Sequence, residues 1–575
     1  MHPVQPAPGD AVFNPGAAGN PPPTNPPPGF LSFESKKMSL TKKWDVVIVG
    51  TGAGGATIGY ALAKAGKRVL FCEKGRAAVA GKSLTGQYAE TFRSRVGAPA
   101  PEDRVVFEKA GRWWNTLNDE SADKARAFVP FIGSGTGGST AIYGAALERL
   151  FPEDFRPAEN FSGAHGADLP EAWPVTFDEL QPYYREAEAL YGVQGTPDPL
   201  KSLNPPSYAA QGTALSPPNQ ELHTFLAGKG LDPYRLPLAC DQIPGCNGCQ
   251  SYICAKGCKN DSAKVCLSVA LTQHGATLWD DCEVVSIDAG QNSVRRIRCI
   301  HKGESVQIEA ETFILAAGAL SSPHLLLRSR NHDWPQGVAN GSGLVGRYLM
   351  RHYVDLYAIF VKSSRASNGL KQLAFNNFYN RDGDKFGTVQ SFGDLPPPSV
   401  LVDSIKDDLQ HTPFSPLAPL LELQRPIMTR ALGMLFGQTT VLASMMEDLP
   451  YRSNRIVVET PQDPLRIHYT LSPYEKARIK AFRKLLKETF SPYRMLLIKQ
   501  AENNQRIAHA CGTCRFGDDP GTSVLNRNNR AHELENLYVI DASFFPSSGG
   551  TNPALTIIAN ALRVADHLTG GKTSR

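Results

Sequence analysis

The sequence predicts an α/β fold, in which helices cover a parallel sheet, and three features near the N-terminus support this. Residues 45–49 form a short run rich in β-branched side chains, as a buried parallel strand requires. The glycine-rich sequence GTGAGG follows at residues 50–55, and residues 56–65 continue as an apolar helix. A second apolar strand at residues 68–72 ends at Glu73. Strand, turn, helix and strand stand in the order of a dinucleotide-binding unit.

Three of the four glycines of the turn have a predicted role. Gly50 permits the tight turn, Gly52 lets the backbone approach a pyrophosphate, and Gly55 allows close packing of the helix on the strand. The free N–H groups at the start of the helix then point at the phosphates. Glu73 lies 23 positions after Gly50, where an acidic residue accepts hydrogen bonds from ribose hydroxyls. The alternative for Glu73 is a solvated acid at a strand end, and this pattern alone does not separate FAD from NAD.

Length and composition indicate a soluble enzyme of more than one domain. A chain of 575 residues exceeds the size of a single core, and 41% hydrophobic with 20% charged residues is ordinary for a globular protein. The net charge of +5, without a run of basic residues, argues against a nucleic-acid partner. The sequence shows no apolar stretch of membrane-spanning length and no signal peptide. We therefore expect a cytoplasmic protein, unless an exported partner carries it to the periplasm.

The N-terminal residues 1–43 differ from the rest of the chain. They are rich in Pro, Gly, Ala and Asn, and residues 21–23 and 26–28 are all proline. A segment with so few large apolar side chains cannot offset the entropy of ordering it. We expect a disordered or polyproline-like arm, with docking to a partner as the alternative.

Four segments together resemble the glucose-methanol-choline (GMC) oxidoreductase family, whose members bind FAD and oxidise alcohols. They are the turn at residues 50–55, a glycine-rich loop at residues 133–144, a second signature at residues 312–327, and C-terminal blocks at residues 509–517 and 536–559. Residues 173–184 and 343–350 are also similar to bacterial dye-linked dehydrogenases that act on sugars, polyols and sugar acids. The resemblance covers nearly the whole chain apart from the arm.

The resemblance implies two domains that are each discontinuous in the sequence. A Rossmann-like FAD-binding domain is expected from residues 44–164, 240–350 and 506–575. An α+β substrate domain, built on an antiparallel sheet, is expected from residues 165–239 and 351–505. The helical spacing and mixed charge of residues 474–490 place a surface helix on the substrate domain. We expect the apolar residues 417–436 to form a buried wall or lid of the substrate channel, and membrane contact to be the weaker alternative.

The resemblance also assigns residues to the cofactor. Asp541, at the end of a predicted strand, is expected to contact the flavin ribityl chain, with a strand-end turn residue as the alternative. The helix that follows Pro553 is expected to point its positive N-terminal end at the flavin pyrimidine ring. The full expected set is Gly50, Gly52, Gly54, Gly55, Glu73, Gly137, Gly138, Ser139, Val285, Asp541, Ala542, Asn552 and Pro553.

Two further residues are expected to carry the chemistry. Alcohol oxidation needs a base for the hydroxyl proton while a hydride leaves the same carbon, and histidine has a suitable pKa. The resemblance places His509 and Asn552 opposite one another at the flavin. The Asn552 amide does not titrate but can donate a hydrogen bond to the substrate oxygen, so His509 is the candidate base. A histidine with an ordinary loop or core role is the alternative.

Six of the eleven cysteines fall between Cys240 and Cys266. An iron–sulfur cluster, local disulfides and free thiols remain as alternatives, and the spacing suits zinc less well. Some dye-linked relatives carry an iron–sulfur cluster in this part of the chain, and for that case the expected ligands are Cys249, Cys254 and Cys258. Cys511 and Cys514 are better explained as packed residues.

The predicted function is FAD-dependent oxidation of a sugar, polyol or other small alcohol to a carbonyl compound. A dehydrogenase that passes electrons to an acceptor other than O₂, through an electron-transfer subunit, is favoured over an oxidase. The alternative from another class is a relative with a structural flavin, such as a lyase or a non-catalytic subunit. The presence of both His509 and Asn552 argues against that alternative.

Overall fold

The computed structural model describes residues 44–571, apart from residues 79–81, 93–102, 123–124, 162, 202–204, 207, 209, 247, 364–370, 382, 394 and 411–421. The predicted arm at residues 1–43 lies outside the described residues, as does the first part of the apolar segment at residues 417–436.

Helices and strands alternate along most of the described chain. The helices are α1 Ala53–Lys64, α2 Asp103–Lys109, α3 Phe177–Leu190, α4 Pro217–Gly228, α5 Ser268–Gln273, α6 Ser321–Arg328, α7 Pro398–Gln410, α8 Arg425–Phe436, α9 Pro473–Thr489 and α10 Ala554–Thr569. The strands are β1 Trp44–Val49, β2 Val69–Cys72, β3 Leu117–Asp119, β4 Arg126–Phe128, β5 Tyr234–Arg235, β6 Thr277–Trp279, β7 Cys282–Ala289, β8 Val294–His301, β9 Glu304–Ile308, β10 Ala310–Leu315, β11 Tyr353–Ile359, β12 Leu373–Phe375, β13 Asn380–Arg381, β14 Asp384–Lys385, β15 Gly387–Ser391, β16 Thr440–Met446, β17 Arg455–Val457, β18 Arg466–His468, β19 Met495–Ile498 and β20 Leu537–Val539.

A five-stranded parallel sheet organises the cofactor side of the molecule. Its strand order is β20-β10-β1-β2-β6, so the sheet draws strands from three separate parts of the chain. Val47 and Ile48 of β1 are fully buried because the sheet is covered on its faces. Helices α1 and α10 pack against each other on this sheet, and α3 packs on α10. The predicted α/β fold with a discontinuous parallel sheet is confirmed.

A six-stranded antiparallel sheet forms the second layer. Its order is β19-β11-β16-β15-β12-β5, and the long pairing of β11 with β16 runs from Tyr353↔Met446 to Ile359↔Thr440. Helix α9 packs against it through stacked rings of Phe386 and Phe482, whose centroids are 5.1 Å apart. Of residues 165–239, β5 joins this sheet whereas α3 packs on the helices of the parallel sheet. Residues 165–239, which we expected to belong to the substrate domain alone, therefore contribute to both layers of the structure.

A buried ion cluster lies beneath the antiparallel sheet. The ammonium group of Lys385 lies 2.5 Å from a carboxylate oxygen of Asp154 and 2.5 Å from one of Glu447, and all three side chains are almost fully buried. The ammonium group offsets part of the charge of the two carboxylates, and burial raises the pKa of Glu447. Glu447 also accepts a hydrogen bond of 3.1 Å from the backbone N–H of Gly549, which connects the cluster to the C-terminal block.

The described part of the apolar segment, residues 422–436, does not form the buried wall that the sequence suggested. Helix α8 has no buried residue, and the exposed fractions of Leu423, Ile427 and Met434 are 80%, 73% and 60%. The helix is short and packs mainly on α7, where Arg425 pairs with Asp403, so its apolar side chains are left uncovered. Within the described residues, no helix is both long and apolar enough to cross a membrane.

Candidate active site

One large cavity lies between the parallel and antiparallel sheets. Its volume is about 1050 Å³, at the upper end of the range for ligand sites, and it is large enough for a dinucleotide together with a small substrate. The carboxyl ends of β1, β2 and β10 form one side, and β11, β15 and β16 form the other. The predicted residues that line it are Gly50, Gly52, Gly54, Glu73, Gly138, Ser139, His509, Asp541, Ala542, Asn552 and Pro553.

The glycine turn after β1 combines open space with close packing. Gly50 has a φ of 98°, in the left-handed region that favours glycine. A Cβ at Gly52 would meet nothing within 4 Å, so the backbone there faces open cavity, as a pyrophosphate requires. A Cβ at Gly54 would lie 1.6 Å from the Ile540 carbonyl oxygen, and one at Gly55 would lie 2.2 Å from the Gly50 carbonyl oxygen. Gly55 therefore serves packing, whereas Gly54 packs on Ile540 and also lines the cavity.

Glu73 is 6% exposed and lies at the edge of the cavity. Its two carboxylate oxygens accept four hydrogen bonds: from the Thr51 N–H (3.0 Å) and hydroxyl (2.7 Å), the Gly75 N–H (3.0 Å) and the Gly135 N–H (3.1 Å). A ribose hydroxyl must share or replace one of these donors. The Thr51 hydroxyl is the simplest to displace, because the Gly135 carbonyl oxygen offers it another acceptor at 3.4 Å.

The glycine-rich loop lies against the turn. A Cβ at Gly138 would approach the Gly52 Cα to 3.0 Å, so the close approach of the loop to the turn favours glycine at position 138. Gly137 is not among the residues that line the cavity; it precedes a short 3₁₀ helix with a φ of 87°. Val285 is also absent from the lining among the described residues, and its neighbour Val284 takes that place. The register of the β7–β8 pairing shifts between Val284 and Ser286. As a result, Val284 rather than the expected Val285 lines the cavity wall.

Asp541 joins two parts of the cofactor side. One carboxylate oxygen accepts hydrogen bonds from the Gly318 N–H (2.9 Å) and the Ser322 hydroxyl, and the other accepts from the N–H (2.8 Å) and hydroxyl of Ser543. These bonds hold the end of β20 beside the end of β10. Helix α10 begins at the cavity after Pro553, so its N-terminal N–H groups face the enclosed space.

His509 contacts a second histidine that the sequence did not single out. The Nδ1 atoms of His509 and His352 are 2.8 Å apart, and His352 Nε2 lies 2.9 Å from the Gly549 carbonyl oxygen. A carbonyl oxygen has no proton, so His352 Nε2 is the donor in that bond. Neutral His352 therefore accepts at Nδ1, and His509 donates from its own Nδ1. The Nε2 of His509 is left unprotonated, with a lone pair available to a substrate.

Burial keeps both rings neutral. It lowers the pKa of His352 to about 4 and holds the pKa of His509 well below its usual range, with a smaller contribution for His509 from the charge of Lys371. The backbone of His509 has a φ of 57°, and two N–H···O bonds of 3.0 Å between Met350 and Cys511 hold it beside the loop that carries His352. A neutral histidine fixed in this way can act as a base.

Asn552 is oriented by a glutamine from the antiparallel sheet. Gln390 is 1% exposed, and its Nε2 donates to the Asn552 Oδ1 at 3.0 Å. Because the Asn552 oxygen is engaged, its NH₂ group is free to donate, and its described partner is only the Met445 sulfur at 3.8 Å. The site thus presents an unprotonated nitrogen and an amide donor to one cavity, which suits removal of a proton from a bound hydroxyl group.

Five cysteines converge, and they include the three expected ligands. Cys246 Sγ lies 3.6 Å from Cys240 Sγ and 3.3 Å from Cys258 Sγ, and Cys254 Sγ lies 3.4 Å from Cys258 Sγ. Cys249 hydrogen-bonds with Cys254. The three thiols suited to one ion are Cys240, Cys246 and Cys258, rather than Cys249, Cys254 and Cys258. These five cysteines are called the thiol cluster below.

The thiol cluster borders the cavity and is free of disulfides. Gln250 and Ser251, between Cys249 and Cys254, line the cavity. All eleven cysteines of the chain lie in the described part, and none is bonded to another there. Cys266 lies apart from the cluster, with its sulfur 3.7 Å from the Tyr191 hydroxyl. Cys511 and Cys514 are fully packed, as expected.

Three residues of the site escaped the sequence analysis: His352, Gln390 and Lys371. His352 follows the segment at residues 343–350 by two positions, so its place beside a recognised block was a usable signal. Gln390 lies within a strand and Lys371 just before one, and neither belongs to a recognisable motif. They reach the cavity because of the way the antiparallel sheet folds over it, which local sequence does not indicate.

Comparison with curated proteins gives relatives over almost the full chain. Paromamine 6'-oxidase from Streptomyces fradiae is 29% identical over 552 residues, with 92% of each chain covered. The 2-methyl-1,2-propanediol dehydrogenase of Mycolicibacterium austroafricanum is 25% identical and covers 91% of this chain and 95% of its own. The fructose dehydrogenase large subunit of Gluconobacter japonicus is also 25% identical and covers 91% and 97%.

A solved structure and two family domains also match this chain. Pyridoxine 4-oxidase from Mesorbium loti has a TM-score of 0.61 at 19% identity, covering 91% of this chain and 99% of its own, and supports the fold. Residues 44–354 match the N-terminal domain of the GMC oxidoreductase family, and residues 450–561 match its C-terminal domain. The chain therefore belongs to the GMC oxidoreductases, the FAD-dependent family that oxidises the hydroxyl groups of alcohols and sugars.

Proposed function

We propose that this protein is a dehydrogenase that oxidises a small alcohol, polyol or sugar to the carbonyl compound and passes the electrons to an acceptor other than O₂. His509 is the base, and Asn552 holds the substrate oxygen. The observation that carries the proposal is the hydrogen-bond chain from the Gly549 carbonyl through His352 to His509, because it leaves the His509 Nε2 unprotonated at the cavity.

The residues of the cavity fit FAD. Gly52 leaves room for the pyrophosphate, Glu73 lies where the adenosine ribose is bound in this fold, and Asp541 borders the opposite part of the cavity. FAD bound in this cavity supplies the hydride acceptor. The positive end of α10 favours negative charge at its N-terminus, where Asn552 and Pro553 line the wall.

The protein residues perform the proton transfer. A substrate hydroxyl donates its proton to the His509 Nε2, and the Asn552 NH₂ donates a hydrogen bond to the oxygen as negative charge develops on it. His352 disfavours the His509 tautomer that carries its proton on Nε2. The reason is that the His352 Nδ1 is an acceptor and requires a proton on the facing His509 Nδ1. Gln390 prevents the Asn552 amide from turning its oxygen toward the substrate.

We further propose that the thiol cluster holds an iron–sulfur cluster that delivers electrons to a partner subunit. Convergence of five thiols at the cavity wall supports this, because iron–sulfur clusters are held by cysteine thiolates. Sulfur separations of 3.3–3.6 Å approach the value of about 3.8 Å for thiolates that share one zinc ion, so a larger cluster requires the side chains to rotate apart.

Two measurements test these proposals. Anaerobic addition of a panel of sugars, polyols and simple alcohols should bleach the flavin, and the reduced protein should then be reoxidised faster by an artificial dye than by air. Bleaching by none of them would contradict the alcohol oxidation, and fast reoxidation in air would make the protein an oxidase.

Iron and acid-labile sulfide should both be present in anaerobically prepared protein. Zinc without sulfide would overturn the iron–sulfur assignment.

A further inference from the structure

One charged side chain in the cavity has no assigned task. Lys371 stands just before β12 in the antiparallel sheet and lines the same cavity as His509 and Asn552. It is close enough to His509 to lower the pKa of that ring. A Cβ built on Gly144 of the glycine-rich loop would lie 3.0 Å from the Lys371 ammonium nitrogen, so the charge lies across the cavity against that loop.

The positive charge of Lys371 is not matched by a neighbouring acidic side chain. Among the described residues, no hydrogen bond or ion pair engages its ammonium group. Glu148 is the nearby acid, but its carboxylate is bound by the hydroxyls of Tyr234 and Thr551 and lies 4.0 Å from Lys201. Burial lowers the pKa of Lys371 to about 8, so the group is still mostly charged at neutral pH. An unpaired charge in such surroundings is costly unless a ligand compensates it.

A second polar atom beside Lys371 also lacks a partner. Gln250 Oε1 is buried without a hydrogen bond, and it would lie 2.5 Å from the same Cβ position on Gly144. Lys371 offers only donors, whereas Gln250 Oε1 is an acceptor. Together they match a ligand end that carries an anionic oxygen next to a hydroxyl group.

We propose that the substrate is an alcohol that also carries a carboxylate or similar anionic oxygen group, and that Lys371 binds this group while the reacting hydroxyl lies at His509. The inference rests on the proposed function and adds a substrate class to it. Lys371 is a specificity-determining residue here, and it takes no part in proton transfer.

The test compares acids with matched neutral alcohols: D-gluconate with D-glucitol, and glycerate with glycerol. Binding is measured as the change in flavin absorption on titration under anaerobic conditions, and reduction is measured as bleaching. In at least one pair, the acid should bind the parent protein about ten- to a hundredfold more tightly, as expected for one charge-assisted hydrogen bond. Equal binding of acid and alcohol in every pair would overturn the proposal.

Variants locate the effect. Lys371→Met should lose the preference for the acid while binding the neutral alcohol and FAD as before, and Lys371→Arg should retain the preference. Lys480→Met, at an exposed position on α9, is the matched control and should behave as the parent. If Lys371→Met instead weakened acid and alcohol equally, the ammonium group would serve the flavin or the fold, and the proposal would fail. Where a ligand reduces the flavin, its affinity is read from the concentration dependence of the bleaching rate, and where it does not, from the static change in flavin absorption. A failure of the alcohol oxidation therefore shows separately, as absence of bleaching.

Discussion

Replacement of His352 by alanine tests how the base is oriented. The variant removes the acceptor that lies 2.8 Å from the His509 Nδ1, and His509 can then adopt the tautomer that carries its proton on Nε2, where it cannot act as a base. Leaving a buried donor without its partner costs about 1–3 kcal/mol. If that energy no longer favours the reactive tautomer, the rate of flavin reduction should fall roughly ten- to a hundredfold.

The assay is anaerobic stopped-flow reduction of the flavin at saturating substrate over a range of pH. The hydrogen bond from the His509 Nδ1–H to neutral His352 strengthens when His509 is protonated, so removal of His352 should lower the pKa of His509 and move the acid limb of the rate profile to lower pH. His352→Asn can place an amide oxygen near the position of the lost Nδ1 and should recover much of the rate. Equal slowing in the alanine and asparagine variants, with no change in the pH profile, would mean that His352 only packs the site.

Three further outcomes follow from single contacts. Gly55→Val should yield protein without FAD, measured by flavin absorbance, because its Cβ would lie 2.2 Å from the Gly50 carbonyl oxygen; a full FAD content would contradict this. Gln390→Leu should keep FAD but slow flavin reduction roughly tenfold, since the Asn552 amide loses the bond that orients it, and an unchanged rate would remove Gln390 from the site. Lys385→Met should lower the free energy of unfolding by about 3–5 kcal/mol in denaturant titrations, because two buried carboxylates lose their counter-ion; a loss below about 1 kcal/mol would show that they are solvated.

The parts of the fold that the sequence predicted are those specified by neighbouring residues. The turn at Gly50 and the strands on either side of α1 lie within 30 positions of one another, and their residue types are dictated by local sterics. Helix α9 was similarly evident from its spacing, and Pro473–Thr489 agrees with the expected residues 474–490 to within one position at each end.

The remaining features depend on contacts between distant parts of the chain. His352 and His509 are 157 positions apart, and backbone hydrogen bonds of Met350 with Cys511 and of His352 with Ala508 bring them together. Cys240 lies outside the closely spaced run from Cys249 to Cys258, so the spacing gave no sign that it lies beside Cys246 and Cys258. The exposure of α8 was missed because apolar composition was taken to imply burial, whereas burial depends on whether a neighbouring element covers the helix.

The most direct test of the account is the rate of anaerobic flavin reduction by an oxidisable alcohol in His509→Ala. The exposed His332 supplies the matched control as His332→Ala. We expect the His509 variant to retain FAD and to be reduced at least about a hundredfold more slowly than the parent, as for loss of a general base, while the control is reduced at the parent rate. Reduction of the FAD-loaded His509 variant at close to the parent rate would contradict the assignment of His509 as the base.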